Sequence, residues 1–267
     1  MKDTPHPTIN THPMAGVVAV AYRNYLVWKE LLGSTLTSNI LNPLIFLYAF
    51  GFGLGGLLNT MDGISYMAYV VGGMMAYFSM FSASFETTIG GFSRFHTQKT
   101  YEAILATTID LKDIIGGEIL WASARGLISA FAVLVVGGIF GGIGADWPHI
   151  LLALVIIFIG SAGFAAIGLW FTSMAKGYEF FNYFFTLWVT PNFVFTGLFF
   201  SIDRYPEWVV WLGKALPVYH IASASRMLTS TMEIDWLAIA GYTSYLTLWL
   251  VVAFYLSHRN LSRRLFD

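Results

Sequence analysis

Six stretches of about 20 mostly apolar residues run through this chain, each long enough for a helix to cross a hydrocarbon layer about 30 Å thick. They fall at residues 34–57, 64–85, 114–138, 150–173, 180–202 and 236–257 of the 267. Backbone amides inside a bilayer have no water to bond, so such segments must satisfy themselves as helices or as a closed barrel. Their length and lack of strict alternation select helices. The expectation is an all-α integral membrane protein with six transmembrane helices.

Composition agrees and excludes other classes. The chain is 57% hydrophobic and 11% charged, against about 25% charged in soluble domains. Its formal net charge of -1 comes without a long basic run, so there is no electrostatic footprint for nucleic acid. Cysteine is absent, which rules out disulfides, thiolate metal sites and thiol nucleophiles. Residues 1–14 are polar and Pro-interrupted and read as a disordered cytoplasmic tail, with His6 and His12 solvated rather than metal-bound.

Orientation follows from the basic residues, which are retained on the cytoplasmic side. Arg23 and Lys29 precede the first stretch; Arg94, Lys99 and Lys112 separate the second and third; Lys176 separates the fourth and fifth; Arg259, Arg263 and Arg264 follow the last. The alternate loops "LNTMDG" and "GIGADWPH" carry neither Lys nor Arg. Both termini are therefore expected in the cytoplasm.

Two regions depart from simple spanning. Residues 15–33 place Val17, Ala21, Tyr25, Trp28 and Leu32 at helical spacing with Arg23 and Glu30 opposite, the pattern of an amphipathic helix lying along the interface. Residues 203–230 hold two short helical runs parted by Pro217, neither able to cross a bilayer. Outer-side re-entrant half-helices fit them, with an amphipathic loop lying flat as the alternative. Residues 34–267 are taken as one six-helix domain.

The most polar window, "SRFHTQKTYEAILATTIDLKDIIGGEI", sits between the second and third apolar stretches. Within it Tyr101, Ile104 and Leu105 share one helical face, while Lys99 and Glu102 lie away from it. Asp110 then precedes "LKDIIGGEIL" as a helix N-cap. Together, "KTYEAILATTIDLKDIIGGEILWASARG" and "GLFFSIDRYPEWVVWLGKALPVYH" resemble the membrane subunit of ABC-2-type exporters, in the branch associated with lipo-oligosaccharide export. One departure is Thr107-Thr108-Ile109, where relatives often show Thr-Pro-Leu, so the turn must form without proline's fixed dihedral.

The resemblance implies that residues 99–106 form a cytoplasmic coupling helix, with Lys99, Tyr101, Glu102, Ile104 and Leu105 docking in a groove of a separate ATPase. It further implies two copies of that ATPase, which would bind ATP and magnesium, and a second permease copy, a homodimer being preferred to a heteromer. No cofactor is expected in this chain, and the location implied is a bacterial inner membrane. Without the resemblance, a loop helix resting on the membrane surface is the simpler account.

No stretch fits the phosphate-cradling G-x-x-x-x-G-K-[ST]. The cargo expected is an amphiphile or glycan such as a lipo-oligosaccharide, polysaccharide or lipid; a drug or small-lipid exporter is the alternative. A polytopic membrane enzyme is more distant, since neither H-E-x-x-H nor G-x-S-x-G occurs.

Arg125 is the one basic residue well inside an apolar stretch, seven positions after Glu118. It is read either as a contact for an anionic or polar substrate or as half of an internal salt bridge. In the fifth stretch Phe181, Phe185, Trp188, Asn192, Phe195 and Phe199 recur at spacings of three and four. That stripe is expected to line a substrate path, with packing as the alternative. Small residues at Gly51/Gly55, Gly137/Gly141, Gly138/Gly142 and Ser161/Ala165 signal close helix approach, within one subunit or between two.

Overall fold

The computed structural model describes residues 14–30 and 32–266. The tail expected at residues 1–14, with His6 and His12, lies outside the described residues except for Met14. The fold is helical: α1 (Ala15–Glu30), α2 (Leu32–Phe46, extended by wider π-type turns over Leu47–Leu54), α3 (Tyr66–Phe85, likewise extended to Thr97), α4 (Thr100–Leu105), α5 (Leu111–Ile139), α6 (Trp147–Met174), α7 (Phe180–Phe184), α8 (Thr190–Val194), α9 (Glu207–Ala215), α10 (Pro217–Thr229) and α11 (Trp236–Phe266). A hairpin of two-residue strands, β1 (Thr60–Met61) and β2 (Ile64–Ser65), precedes α3. Asp62 and Gly63 make its turn with φ of 51° and 84°, as a two-residue hairpin requires. Ser65 then caps α3 by accepting from the Ala68 N–H at 3.2 Å.

Among the described residues four helices are long and apolar enough to cross a membrane: Tyr66–Thr97, Leu111–Ile139, Trp147–Met174 and Trp236–Leu265. Two of the six expected stretches are shorter. The first is helical over Leu32–Phe46 and Leu47–Leu54, with Pro43 inside it and a π-type stretch at its end. The fifth, expected to run to residue 202, stops at Val194, after about 22 Å at 1.5 Å per residue. Gly197, at φ 71°, turns the chain there, and residues 195–201 are irregular.

The core is formed where α3, α5 and α6 pack against one another, with α10 wedged against α3 and α6, and α11 along α6. Small residues permit these crossings. A Cβ at Gly126 of α5 would stand 2.6 Å from Ser161 Oγ on α6 and 2.9 Å from the Ser79 carbonyl on α3, so three helices meet at one missing methyl. Gly137 and Gly142 likewise admit Val71 of α3. The small-residue signals at Gly137, Gly142 and Ser161 are thus spent on packing within the subunit.

α10 begins beside Asn192 and carries Ile221 against Gly160, roughly 20 Å along α6 from Trp147 at 1.5 Å per residue. Gly72 and Gly73 of α3 let α10 come close: a Cβ on Gly72 would meet Arg226 Cγ at 2.7 Å and the Arg226 backbone N at 3.1 Å. Because backbone cannot swing aside, Gly72→Ala is expected to destabilise the fold by about 1–3 kcal/mol through overpacking. Gly241→Ala on α11, where nothing lies within 4 Å of the new methyl, is the control. Thermal unfolding in detergent should show a lowered midpoint for the first variant and an unchanged or raised one for the second.

Candidate functional site

Polar chemistry gathers at the end of the bundle that carries α4. After Phe85, α3 widens because Thr87 and Thr88 turn their hydroxyls back onto the Ala83 and Ser84 carbonyls, at 3.0 and 2.6 Å. The Thr87 carbonyl then accepts from the Thr172 hydroxyl of α6 at 2.7 Å. This widened stretch sets Glu86 and Arg94 on the face toward α5.

Four charges interlock there. Arg94 donates from Nε and Nη2 to the two Glu118 carboxylate oxygens at 2.8 and 2.5 Å, and from Nη1 to Glu86 Oε1 at 2.9 Å. Arg125 pairs through Nη1 with Glu86 Oε2. Gly90 leaves room, since a Cβ there would sit 3.2 Å from Arg94 Nη1. The cluster is neutral as a whole and well covered, Glu118 being 1% and Arg125 18% exposed at the side chain. Burial of paired charges is tolerated when each oxygen finds a donor, as here. Of the two readings of Arg125, its internal ion pair is present, and the partner is Glu86 rather than Glu118.

α4 hangs from this cluster. Lys99 enters it with φ 51°, a left-handed conformation that a side chain other than glycine seldom adopts. Tyr101 points inward, 1% exposed, against Phe95 at 5.7 Å between ring centres. Burial raises its phenol well above the ordinary value, and Glu118 adds to that shift. Ile104 and Leu105 are half-buried against the core, while Lys99, Glu102, Ala103 and Ala106 are exposed. The apolar face read from the sequence therefore roots the helix, and Lys99 and Glu102, 3.8 Å apart, stand on the outer rim. Thr107 supplies what proline would have: its hydroxyl donates to the Ile104 carbonyl at 2.7 Å and accepts from the Ile109 N–H at 3.3 Å. Asp113 closes the start of α5 by accepting from the Asp110 N–H at 3.3 Å.

Beside the cluster a cavity of about 580 Å³ opens between α1, the end of α3 and α5. α1 packs on α5 through Val20 at Gly117 and through Trp28 and Trp121, 5.7 Å apart in an edge-on pair. Three buried donors on its wall lack a partner among the described residues: Asn24 Nδ2, Trp28 Nε1 and Arg125 Nε. Arg23, Arg94 and Glu86 also line it. A wall so rich in donors suits a ligand rich in acceptors. Asn24 is the group that sequence periodicity undervalued; an amide on an otherwise apolar helix face was its signal.

The aromatic stripe runs along the bundle. Phe181 and Asn192 are buried; Phe185, Trp188, Phe195 and Phe199 are half-buried. Trp188 stacks on Trp249 of α11 at 6.2 Å, and Phe199 meets Phe50 at 4.1 Å. Asn192 donates to the Trp188 carbonyl at 2.9 Å and accepts from the Val218 N–H at 3.3 Å, so its amide caps the first turn of α10. Only its start, Phe181, reaches the end of the bundle that holds Arg125 and α4, packing on Phe92 at 5.5 Å between ring centres; the rest runs away from that end.

Removing Glu86 would strand Arg125 without its counter-charge. Glu86→Gln is expected to cost about 3–5 kcal/mol, as for breaking a buried pair. Adding Arg125→Met should recover part of the loss, because Arg94 and Glu118 remain as a closed pair; thermal unfolding of both variants checks the order.

The family profile described as "ABC-2 type transporter" matches residues 16–229. Relatives include Nodulation protein J of Sinorhizobium fredii, 34% identical over 248 residues covering 93% of either chain. Nodulation protein J of Rhizobium meliloti is 34% identical over 250 residues, again 93% of either chain. The inner membrane transport permease YadH of Escherichia coli is 24% identical over 206 residues, 77% of either chain. With its long apolar helices and its match over most of the sequence, the chain belongs to the ABC-2 type transporter family as a membrane permease.

Proposed function

We propose that this permease exports an amphiphilic glycan of lipo-oligosaccharide type from the cytoplasm across a bacterial inner membrane, driven by a separate ATPase that binds ATP and magnesium. The observation that carries the reading is the donor-lined cavity set directly against the ion cluster that roots α4. A sugar headgroup offers hydroxyl, carbonyl and ring oxygens to Asn24, Trp28 and Arg125, and the indoles of Trp28 and Trp121 suit ring faces or acyl chain. The similarity to proteins named for nodulation supports this class of cargo over a drug or small lipid.

In this reading the end of the bundle holding α4 faces the cytoplasm, together with both termini. Arg94, Lys99, Lys176 and Arg264 gather there, as retention of basic residues on that side requires. Arg264 donates to the Ser173 and Ala175 carbonyls at 2.6 and 2.7 Å, which ties the end of α11 to that of α6. Six crossings follow if Leu32–Leu54 and the short α7–α8 run each traverse the layer, the latter completed by irregular backbone shielded by protein. The half-helices α9 and α10 then enter from the opposite face and return to it. α1 lies at the inner interface, with Val18, Tyr22 and Leu26 exposed toward lipid.

Coupling runs through α4. Its exposed Glu102, Ala103 and Ala106, rimmed by Lys99, seat in a groove of the ATPase, while Tyr101 passes the displacement to Arg94 and Glu118. Two permease copies, identical in the simplest assembly, stand over two ATPases. Half-buried Phe185 and Trp188 are the part of the aromatic stripe open to cargo after such a motion.

Two experiments test the reading. Ala103→Glu with Ala106→Glu places bulk and charge on the exposed face without touching the core; it should abolish co-purification with the ATPase while thermal unfolding of the permease stays unchanged, and undiminished association would sink the coupling role. Since the chain has no cysteine, single cysteines at Asp62 and Lys99 report sidedness to an impermeant thiol reagent. Asp62→Cys should label from outside the cell and Lys99→Cys only after lysis, and the reverse pattern would overturn the orientation.

A further inference from the structure

At the other end of the bundle a second polar cavity, about 140 Å³, lies between the β1–β2 hairpin, α3, α10 and the turn after Gly197. Arg226 forms its floor and is 7% exposed. Its guanidinium lies 3.6 Å from the Tyr69 ring centre; Nε donates to the Tyr69 carbonyl at 3.0 Å, and Nη2 to the Gly197 and Leu198 carbonyls at 2.7 and 3.2 Å. Nη1 makes no hydrogen bond, and no carboxylate pairs with Arg226, among the described residues. The exposed carboxylates of Asp62 and Asp203 stand on the rim, and Tyr219, Ser223 and Tyr242 complete the wall.

The charges select the ligand. One buried guanidinium opposes a cation, while two rim carboxylates oppose an anion. What remains favoured is a neutral group offering donors and acceptors within one small ring. Carboxylates accept from hydroxyls, an arginine fork donates to them, and tyrosine presents an apolar face beside a polar tip.

We infer that this cavity is a saccharide-binding site on the face opposite α4, formed by Arg226, Asp62, Asp203, Tyr219 and Tyr242 and taking one sugar ring. The ring comes either from the headgroup of an exported amphiphile, which rests on the function proposed above, or from a free oligosaccharide in the outer medium.

Saturation-transfer NMR on the full chain, co-purified with its ATPase in lipid nanodiscs, reads binding directly and without nucleotide. The probes are cellotetraose, maltotetraose and chitotetraose, each free and as its octyl glycoside. At least one is expected to bind the unaltered chain, and Asp62→Asn with Asp203→Asn to weaken it at least tenfold. Asp62 sits at positive φ, where asparagine is equally at home, and both side chains are exposed, so this variant should fold even if Arg226→Lys does not. Glu233→Gln, an exposed acid outside the cavity, should bind as the unaltered chain does.

Binding of glycosides alone assigns the site to the amphiphile; equal binding of free sugars assigns it to a soluble ligand. Absence of binding by every probe, indifference to the rim substitutions, or displacement by inorganic phosphate or sulfate would overturn it. Because no ATP hydrolysis is read, a negative result leaves the coupling role of α4 untouched.

Discussion

Every backbone amide inside a bilayer must find its partner within the protein, and three irregularities of this fold show how that demand is met. The chain leaves the helical pattern at residues 195–201, and there the Gly197 carbonyl accepts both the Tyr69 hydroxyl, at 2.7 Å, and Arg226 Nη2. The start of α10 lies within the packed bundle and exposes N–H groups; Pro217 removes one, and the Asn192 amide takes that of Val218. Where α3 widens, Thr172 reaches across from α6 to the Thr87 carbonyl. At these three places a polar side chain from another helix meets the irregular backbone.

The same economy governs charge. Two glutamates and two arginines from α3 and α5 share one site, with a bidentate pair at its centre and a second pair at its edge. Such a cluster holds the two helices in one relative register, because a slip by one turn would strand at least one buried charge. Tyr101 rests against that register. The helix it belongs to is therefore seated against the charged cluster at that end of the fold.

Much of this was readable from periodicity. The long apolar stretches gave α3, α5, α6 and α11, and Asp110 marked the start of α5. The shared face of Tyr101, Ile104 and Leu105 gave a short helix, whose bounds of 99–106 came from the family resemblance and match α4 within a residue at each end. Other features required packing. Spacing put Arg125 on the same face as Glu118, yet its partner is Glu86, since only the α3–α5 crossing brings those two together. The stripe from Phe181 to Phe199 had helical period but no sign of direction; the fold turns it mainly inward, toward α2, α3 and α11. Arg226 passed unnoticed within "HIASASRMLTS", although a basic residue among alanines and serines is what a close helix crossing with one buried cation looks like in a sequence.

Lys99 gives the loop before α4 a geometry that continued helix could not. A left-handed residue between Thr97 and Thr100 breaks the axis of α3 at a fixed corner, so the short helix beyond it is a crank and not an extension of the shaft. Under the coupling role proposed for α4, a push on it would reach α3 and α5 as a turning moment about that corner, favouring rotation of the two helices over translation.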